Sequence, residues 1–144
     1  MLKDILIVDG YNVIFAWQSL KKLANESLEH ARMELRNQLL NYGKFKGYEV
    51  ILVFDGKYTK SIASIEEITK GFIEVYTDDG ETADSFIERE VFLRQGKYTN
   101  VYVVTSDGAE QNQILGSGGL RIPARELQND MRLATVSYTH LTLP

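Results

Sequence analysis

Four short apolar runs, Ile5–Val8, Val50–Phe54, Phe72–Tyr76 and Val101–Val104, set the tightest limit on how this chain folds. Each has the length and β-branched content of a strand. The first, second and fourth are nearly continuous in apolar residues, as strands covered on both faces are. Helical patterns lie between them. In Ser27–Tyr42, the residues Leu28, Ala31, Leu35, Leu39 and Tyr42 form one apolar stripe, with Ser27 as N-cap and Gly43 and Gly47 as stop signals. In Ala83–Leu93, Phe86, Ile87, Val91 and Leu93 supply core contacts, and Gly96 ends the pattern. Residues 107–115 and 123–132 read as two shorter helices. Strand and helix in alternation predict an α/β fold, a mostly parallel sheet with helices on both faces. In such sheets the functional crevice lies beyond the carboxyl ends of the strands.

The chain has 144 residues, enough for one core and short for two. Its hydrophobic fraction of 44% and charged fraction of 25% are those of an ordinary globular domain. No apolar run approaches the roughly 18 residues that a membrane helix needs. In the opening "MLKDILIVDG", Asp4 and Asp9 break the apolar region that a signal peptide requires, so the cytoplasm is the expected compartment. Cysteine is absent, which excludes disulfides and thiolate metal sites. The net charge of −4 argues against a protein that holds naked nucleic acid by charge alone.

Acids follow the strands. "LIVDG" gives Asp9, "LVFDG" gives Asp55 and "VVTSDG" gives Asp107. Asp84, in "YTDDGETADSFIERE", falls in the first turn of a helix, with Glu88 one turn on and on the same face. Each has an ordinary explanation. An Asp-Gly pair after a strand commonly bonds its own backbone in a turn, an Asp in a first helical turn serves the helix dipole, and Glu88 alone is a solvated helix face. Their shared location changes the balance, because a parallel sheet sends Asp9, Asp55 and Asp107 to one edge. Clustered carboxylates repel and raise one another's pKa unless a cation sits among them. Oxygen-only ligands suit Mg²⁺ or Mn²⁺. One or two such ions can activate water and stabilise the leaving oxygen of a phosphodiester. No rival catalytic set is present. His30 lies in an amphipathic helix pattern, His140 lies near the chain's end, and no phosphate-binding P-loop occurs. An aspartate phosphatase expects Asp-x-Asp where this chain has Asp9-Gly10-Tyr11, and a phosphate-receiver domain expects an acidic pair there.

The segments "IVDGYNVIF", "VFDG", "ETADSFIERE" and "VVTSDGAEQNQILGSGGLRIPARELQND" together resemble the YacP-like group of NYN domains, relatives of PIN-domain ribonucleases. The likeness runs from Leu2 to Met131. It implies a PIN-like three-layer α/β/α sandwich whose strand-end acids bind Mg²⁺ or Mn²⁺ for RNA cleavage. Some members are endoribonucleases that act on messenger RNA at the ribosome. By this resemblance Asp9, Asp84 and Asp107 are the catalytic and metal-binding acids, and Asn12 is the Asn of the "DGYN" signature. The Asn12 amide either orients Asp9 or a metal-bound water, or caps the following helix. Asp55 and Glu88 are further metal-ligand candidates. The nuclease domain is expected over residues 1–133. Residues 134–144, "ATVSYTHLTLP", lack Asp, Glu, Lys and Arg and show no helical period; they read as an edge strand or as a doubtful, non-native tail.

Contacts to RNA are expected from two further groups. Gly116, Gly118 and Gly119 form a turn ahead of Pro123, and with Arg121 and Arg125 they either hold a phosphate or make a tight connection with surface arginines. Lys57, Lys60 and Tyr58 follow Asp55, and Tyr11 follows Asp9; these tyrosines either stack on a base or pack at strand ends. The acidic balance means weak affinity for free RNA, so a partner is expected to supply positioning, and the ribosome is the one the resemblance suggests. The alternative is a PIN-like module that binds RNA or ribosomes without cutting.

Overall fold

In a computed structural model of the chain, residues 2–58, 62–106 and 118–142 are described, with side chains as far as Ala134. The elements run β1 (Ile5–Asp9), α1 (Gly10–Ala16), α2 (Gln18–Glu26), α3 (Leu28–Lys46), β2 (Glu49–Phe54), β3 (Ser64–Thr69), β4 (Phe72–Tyr76), α4 (Ala83–Leu93), β5 (Val101–Thr105), β6 (Leu120–Pro123) and α5 (Ala124–Thr142). A single 3-10 turn, Gly56–Tyr58, follows β2.

The six strands form one sheet in the order β3-β4-β2-β1-β5-β6. All neighbours are parallel except the β3–β4 pair, which is antiparallel. Alternate residues of each central strand enter opposite cores. Leu6, Val8, Leu52, Phe54 and Val104 pack with Val13, Ile14, Trp17, Leu35, Leu39, Leu127 and Met131 from α1, α3, α5 and the α1–α2 junction. Ile5, Ile7, Ile51, Val53 and Val103 pack on the other face with Ala83, Phe86, Ile87 and Val91 of α4. This is the three-layer PIN-like sandwich, and burial on both faces is why the strands read as unbroken apolar runs. Each fully buried Ile or Leu contributes about 1.5–3 kcal/mol, so the two-sided core fixes strand register firmly.

Helix ends follow local chemistry. Ser27 accepts from the His30 amide at 3.2 Å and Gly47 closes α3 in the left-handed conformation with φ 74°. Thr82 accepts from the Ser85 amide at 3.1 Å and starts α4. The Trp17 indole donates to the Ala124 carbonyl at 2.9 Å, which ties the α1–α2 junction to the start of α5.

Three expectations need correction. β3 and β6 are strands that no apolar run announces. The expected helix at 123–132 begins at Ala124, directly after β6. It also continues through Thr142, which replaces the edge-strand reading of that segment. Helix propensity differs among ordinary residues by less than about 1 kcal/mol, so a helix already nucleated at Ala124 extends through a Thr-rich segment. The expected helix at 107–115 lies outside the described residues.

Candidate active site

The chain passes from β1 to β2 on one side and returns with β5 on the other, so the strand order reverses at β1. Val8 pairs with Val104, which sets the carboxyl ends of β1 and β5 side by side at this switch point. Asp9 is the last residue of β1 and only 6% exposed. Its neighbour Gly10 is there for space rather than for a turn: a Cβ on Gly10 would come within 2.3 Å of the Phe54 ring. Gly10 also begins α1, so Asp9 stands at the junction of strand and helix N-terminus.

Asn12 settles between its two readings. Asn12 Nδ2 donates to Asp9 Oδ2 at 2.5 Å, and α1 has no side-chain cap. Asn12 therefore orients Asp9 and does not cap the helix. Burial, with smaller pushes from the charges of Asp84 and Asp55, raises the Asp9 carboxyl to about 6 against the opposing pull of Asn12. Those acids thus lie close enough to Asp9 to be felt.

Asp55 accepts from the Lys57 amide at 3.0 Å and, through its other oxygen, from the Ala83 amide at 3.4 Å. The first bond is the local turn foreseen for Asp-Gly, and the second joins the end of β2 to the first turn of α4. Gly56 donates to Thr77 Oγ1 at 2.9 Å, and a Cβ on Gly56 would come within 2.0 Å of the Thr77 carbonyl oxygen. Close packing here brings the start of α4, with exposed Asp84, to the sheet edge that carries Asp9. Glu88 sits one turn further along, exposed on α4. Among the described residues no three His, Cys, Asp or Glu side chains lie close enough together to enclose a metal. Asp107, which follows Ser106 at the end of β5, lies outside the described residues, as do Lys60 and Gly116.

The donor set fits a hard cation. Asp9 is a buried carboxylate with a raised pKa, which is the state a nearby dication relieves. Mg²⁺ commonly takes one or two carboxylates and keeps several waters, so an open arrangement of Asp9 and Asp84 suits it.

The residues expected to touch RNA divide. Tyr11 is only 4% exposed, with its ring against Phe54 at 5.0 Å and its hydroxyl accepting from Arg32 at 3.2 Å. It is a packing residue, and its ring is not open to a base. Arg121 Nε donates to Thr105 Oγ1 at 2.8 Å, and a terminal nitrogen donates to the Ser106 carbonyl. Arg121 thus clamps β6 to the end of β5, beside Asp107 in sequence. Arg125 is exposed in the first turn of α5, Gly118 has φ 104°, and Lys57 is exposed with Nζ 5.1 Å from the Tyr58 ring centroid.

The model of the YacP-like NYN domain matches residues 6–141. The chain belongs to the YacP-like NYN family. It is 41% identical over 129 residues to "Uncharacterized protein YacP" of Bacillus subtilis, covering 89% of this chain and 75% of that protein. Two crystal structures of Rae1 (YacP) from Bacillus subtilis, one of them a W164L mutant, superpose with a TM-score of 0.79 at 36% identity. They cover 95% of this chain and 79% and 78% of the respective chains. The family match extends well into α5, through most of the segment read from sequence as a doubtful tail.

Sequence reasoning missed one charged pair behind this YacP-like site. Glu74 of β4 is 1% exposed and receives a two-pronged bond from Arg36 of α3, at 2.7 and 2.8 Å, and a third from the Tyr76 hydroxyl at 3.2 Å. Arg32, one turn before Arg36, lies 6.0 Å from the Tyr76 ring centroid and holds Tyr11. The signal available was a lone acid inside the apolar run "FIEVY", which needs a buried cation opposite it.

Proposed function

We propose that this protein is a Mg²⁺- or Mn²⁺-dependent endoribonuclease that cuts RNA phosphodiesters, with messenger RNA on the cytoplasmic ribosome as its setting. One observation carries the reading: Asp9, at the carboxyl end of the central strand, is buried, held by Asn12 and raised to about 6 beside Asp84 and Asp55. A carboxylate kept in so unfavourable a place has a cation as its natural counterpart.

Asp9 and Asp84 would hold the ion, with Asp107 completing the set, while Glu88 is the outermost candidate. Held by these residues, such an ion would supply activation of water and charge stabilisation at the leaving oxygen. The chain's own residues do the positioning. Asn12 fixes the Asp9 rotamer, Asp55 fixes the α4 start that carries Asp84, and Arg121 fixes the end of β5 ahead of Asp107. Family membership supports the RNA substrate, and the net charge of −4 supports a carrier such as the ribosome.

The test is cleavage of a single-stranded RNA titrated with Mg²⁺ or Mn²⁺, alongside Asp84→Asn and co-sedimentation with ribosomes. Metal-dependent cleavage lost in Asp84→Asn is expected. Binding to RNA or ribosomes with no cutting at any metal concentration replaces the nuclease with a non-catalytic binding module.

A further inference from the structure

Tyr11 is buried, yet two rings that rest on it are not. Phe15, one turn further along α1, stacks at 6.3 Å between centroids with 27° between planes and is 48% exposed. Tyr58, in the 3-10 turn after β2, meets Tyr11 edge-on at 5.2 Å and is 52% exposed. The set is anchored from below by Phe54, and Arg32 bonds the Tyr11 hydroxyl. Its place is decisive. Tyr11 lies two residues after Asp9, the Tyr58 amide donates to the Asp55 carbonyl at 3.2 Å, and the Asp55 charge reaches Tyr11. Single exposed aromatic residues are ordinary surface. Two open rings fixed on a buried third, within a few residues of two site acids, are a preorganised apolar ledge.

We propose that Phe15 and Tyr58 form a base-stacking subsite that seats unstacked nucleotides of single-stranded RNA beside the strand-end acids. The occupant follows from chemistry on the page. An extended apolar patch would favour a protein partner. Here one of the two rings, Tyr58, sits beside a cation, Lys57, whose Nζ is 5.1 Å from its centroid. Ring faces take bases of any sequence, and the flexible ammonium takes the adjoining phosphate. Such a ledge favours single strands over duplex, whose bases are already stacked. It also gives an acidic chain a means of holding RNA that does not depend on net charge.

The proposal rests on the endoribonuclease reading, and its test separates the two. Wild type, Phe15→Ala, Tyr58→Ala and Tyr58→Trp are compared for binding of a labelled single-stranded RNA by anisotropy in EDTA, and for kcat and KM with Mn²⁺. Thermal melting checks that each variant is folded. Loss of one stacking partner is expected to weaken binding roughly 5- to 150-fold, with the loss in KM rather than kcat, and Tyr58→Trp restores it. An abasic nucleotide scanned through the RNA reads the same contact in the unaltered protein: at one position it weakens binding to wild type and leaves Tyr58→Ala indifferent. Wild-type KM in both alanine variants, together with no sensitive abasic position, overturns the subsite while metal-dependent cutting stands. A wild-type protein that neither binds nor cuts RNA removes both readings.

Discussion

Asn12 donates a 2.5 Å hydrogen bond to Asp9 from the first turn of the helix that Asp9 immediately precedes. A carboxylate at the end of a buried strand is thereby locked in one rotamer, facing the edge of the sheet where the strand order reverses. The bond favours the ionised form, while burial and two neighbouring acids oppose it.

The balance has a measurable consequence for stability. Asp9 is raised from 3.8 to about 6, so the folded state holds the proton more tightly than the unfolded chain. Stability therefore falls as pH rises between those values, and ionised Asp9 costs the metal-free fold about 3 kcal/mol at pH 7. Asn at this position is neutral and still accepts from Asn12. Asp9→Asn should thus be the more stable protein at pH 7 without metal, by up to about 3 kcal/mol. The advantage should shrink below pH 6 and vanish near pH 4. Adding Mg²⁺ or Mn²⁺ should raise the Tm of wild type but not of the variant, and cleavage should be lost. Thermal melts across pH, with and without metal, decide it; a variant that melts below wild type at pH 7 refutes the reading.

Removing the donor acts in the opposite sense. Asn12→Ala places a better helix former in α1, which offsets only part of the stability that the lost bond costs at pH 7, about 1 kcal/mol or more. A hydrogen bond to a charged group is worth about 1.5–3 kcal/mol, or about 1–2 pH units. Without it, Asp9 should release its proton at still higher pH. The acid limb of the cleavage profile should move up by about 1 unit or more, and apparent metal affinity at pH 7 should fall. An unchanged pH–rate profile would show that the amide does nothing for Asp9.

What the sequence disclosed follows from burial. β1, β2 and β5 lie between two helical layers, so their residues had to be apolar on both faces, and the pattern was visible; β4 shows it apart from Glu74. α4 carries its own cap in Thr82 and spans the expected residues 83–93. β3, "SIEEIT", is exposed along nearly its whole length and is held by its ladder to β4, so no hydrophobic period marks it. β6 has only four residues and ends in Pro123 at the sheet's edge. The placement of Asp9 and Asp55 at one edge was legible because parallel pairing of β1 and β2 alone sends their ends there. Tyr11 was not, because whether a ring after an Asp-Gly pair faces solvent depends on Phe54 and Arg32, which arrive from distant segments.

The Arg36–Glu74 pair spans 38 positions and is invisible to any local pattern. Glu74 is 1% exposed and Arg36 is partly exposed, so removing the guanidinium leaves a carboxylate with no countercharge in an apolar layer. Arg36→Met should cost about 3–5 kcal/mol. Arg36→Met with Glu74→Leu should recover most of that, since an apolar pair of similar size avoids the buried charge. Urea denaturation of the four proteins in a double-mutant cycle measures the coupling. Equal losses in the single and double variants would place the stabilisation in packing and not in the ion pair.

Gly56 tests whether close backbone packing sets the site's geometry. A Cβ here would lie 2.0 Å from the Thr77 carbonyl oxygen, and the obstacle is backbone, which has no rotamer to turn away. Gly56→Ala must therefore separate the end of β2 from the segment leading into α4. Overpacking of this kind costs about 1–3 kcal/mol. The displacement carries Asp55 away from the Ala83 amide and Asp84 away from Asp9, so cleavage should fall more than stability does. Gly80 provides the control: nothing lies within 4 Å of its added Cβ, and its φ is not in the left-handed region, so Gly80→Ala should leave melting and cleavage near wild type. The decisive measurement is cleavage rate at a temperature where Gly56→Ala is fully folded by circular dichroism. Wild-type activity there would mean that the position of α4 relative to β1 is not what brings the acids into register.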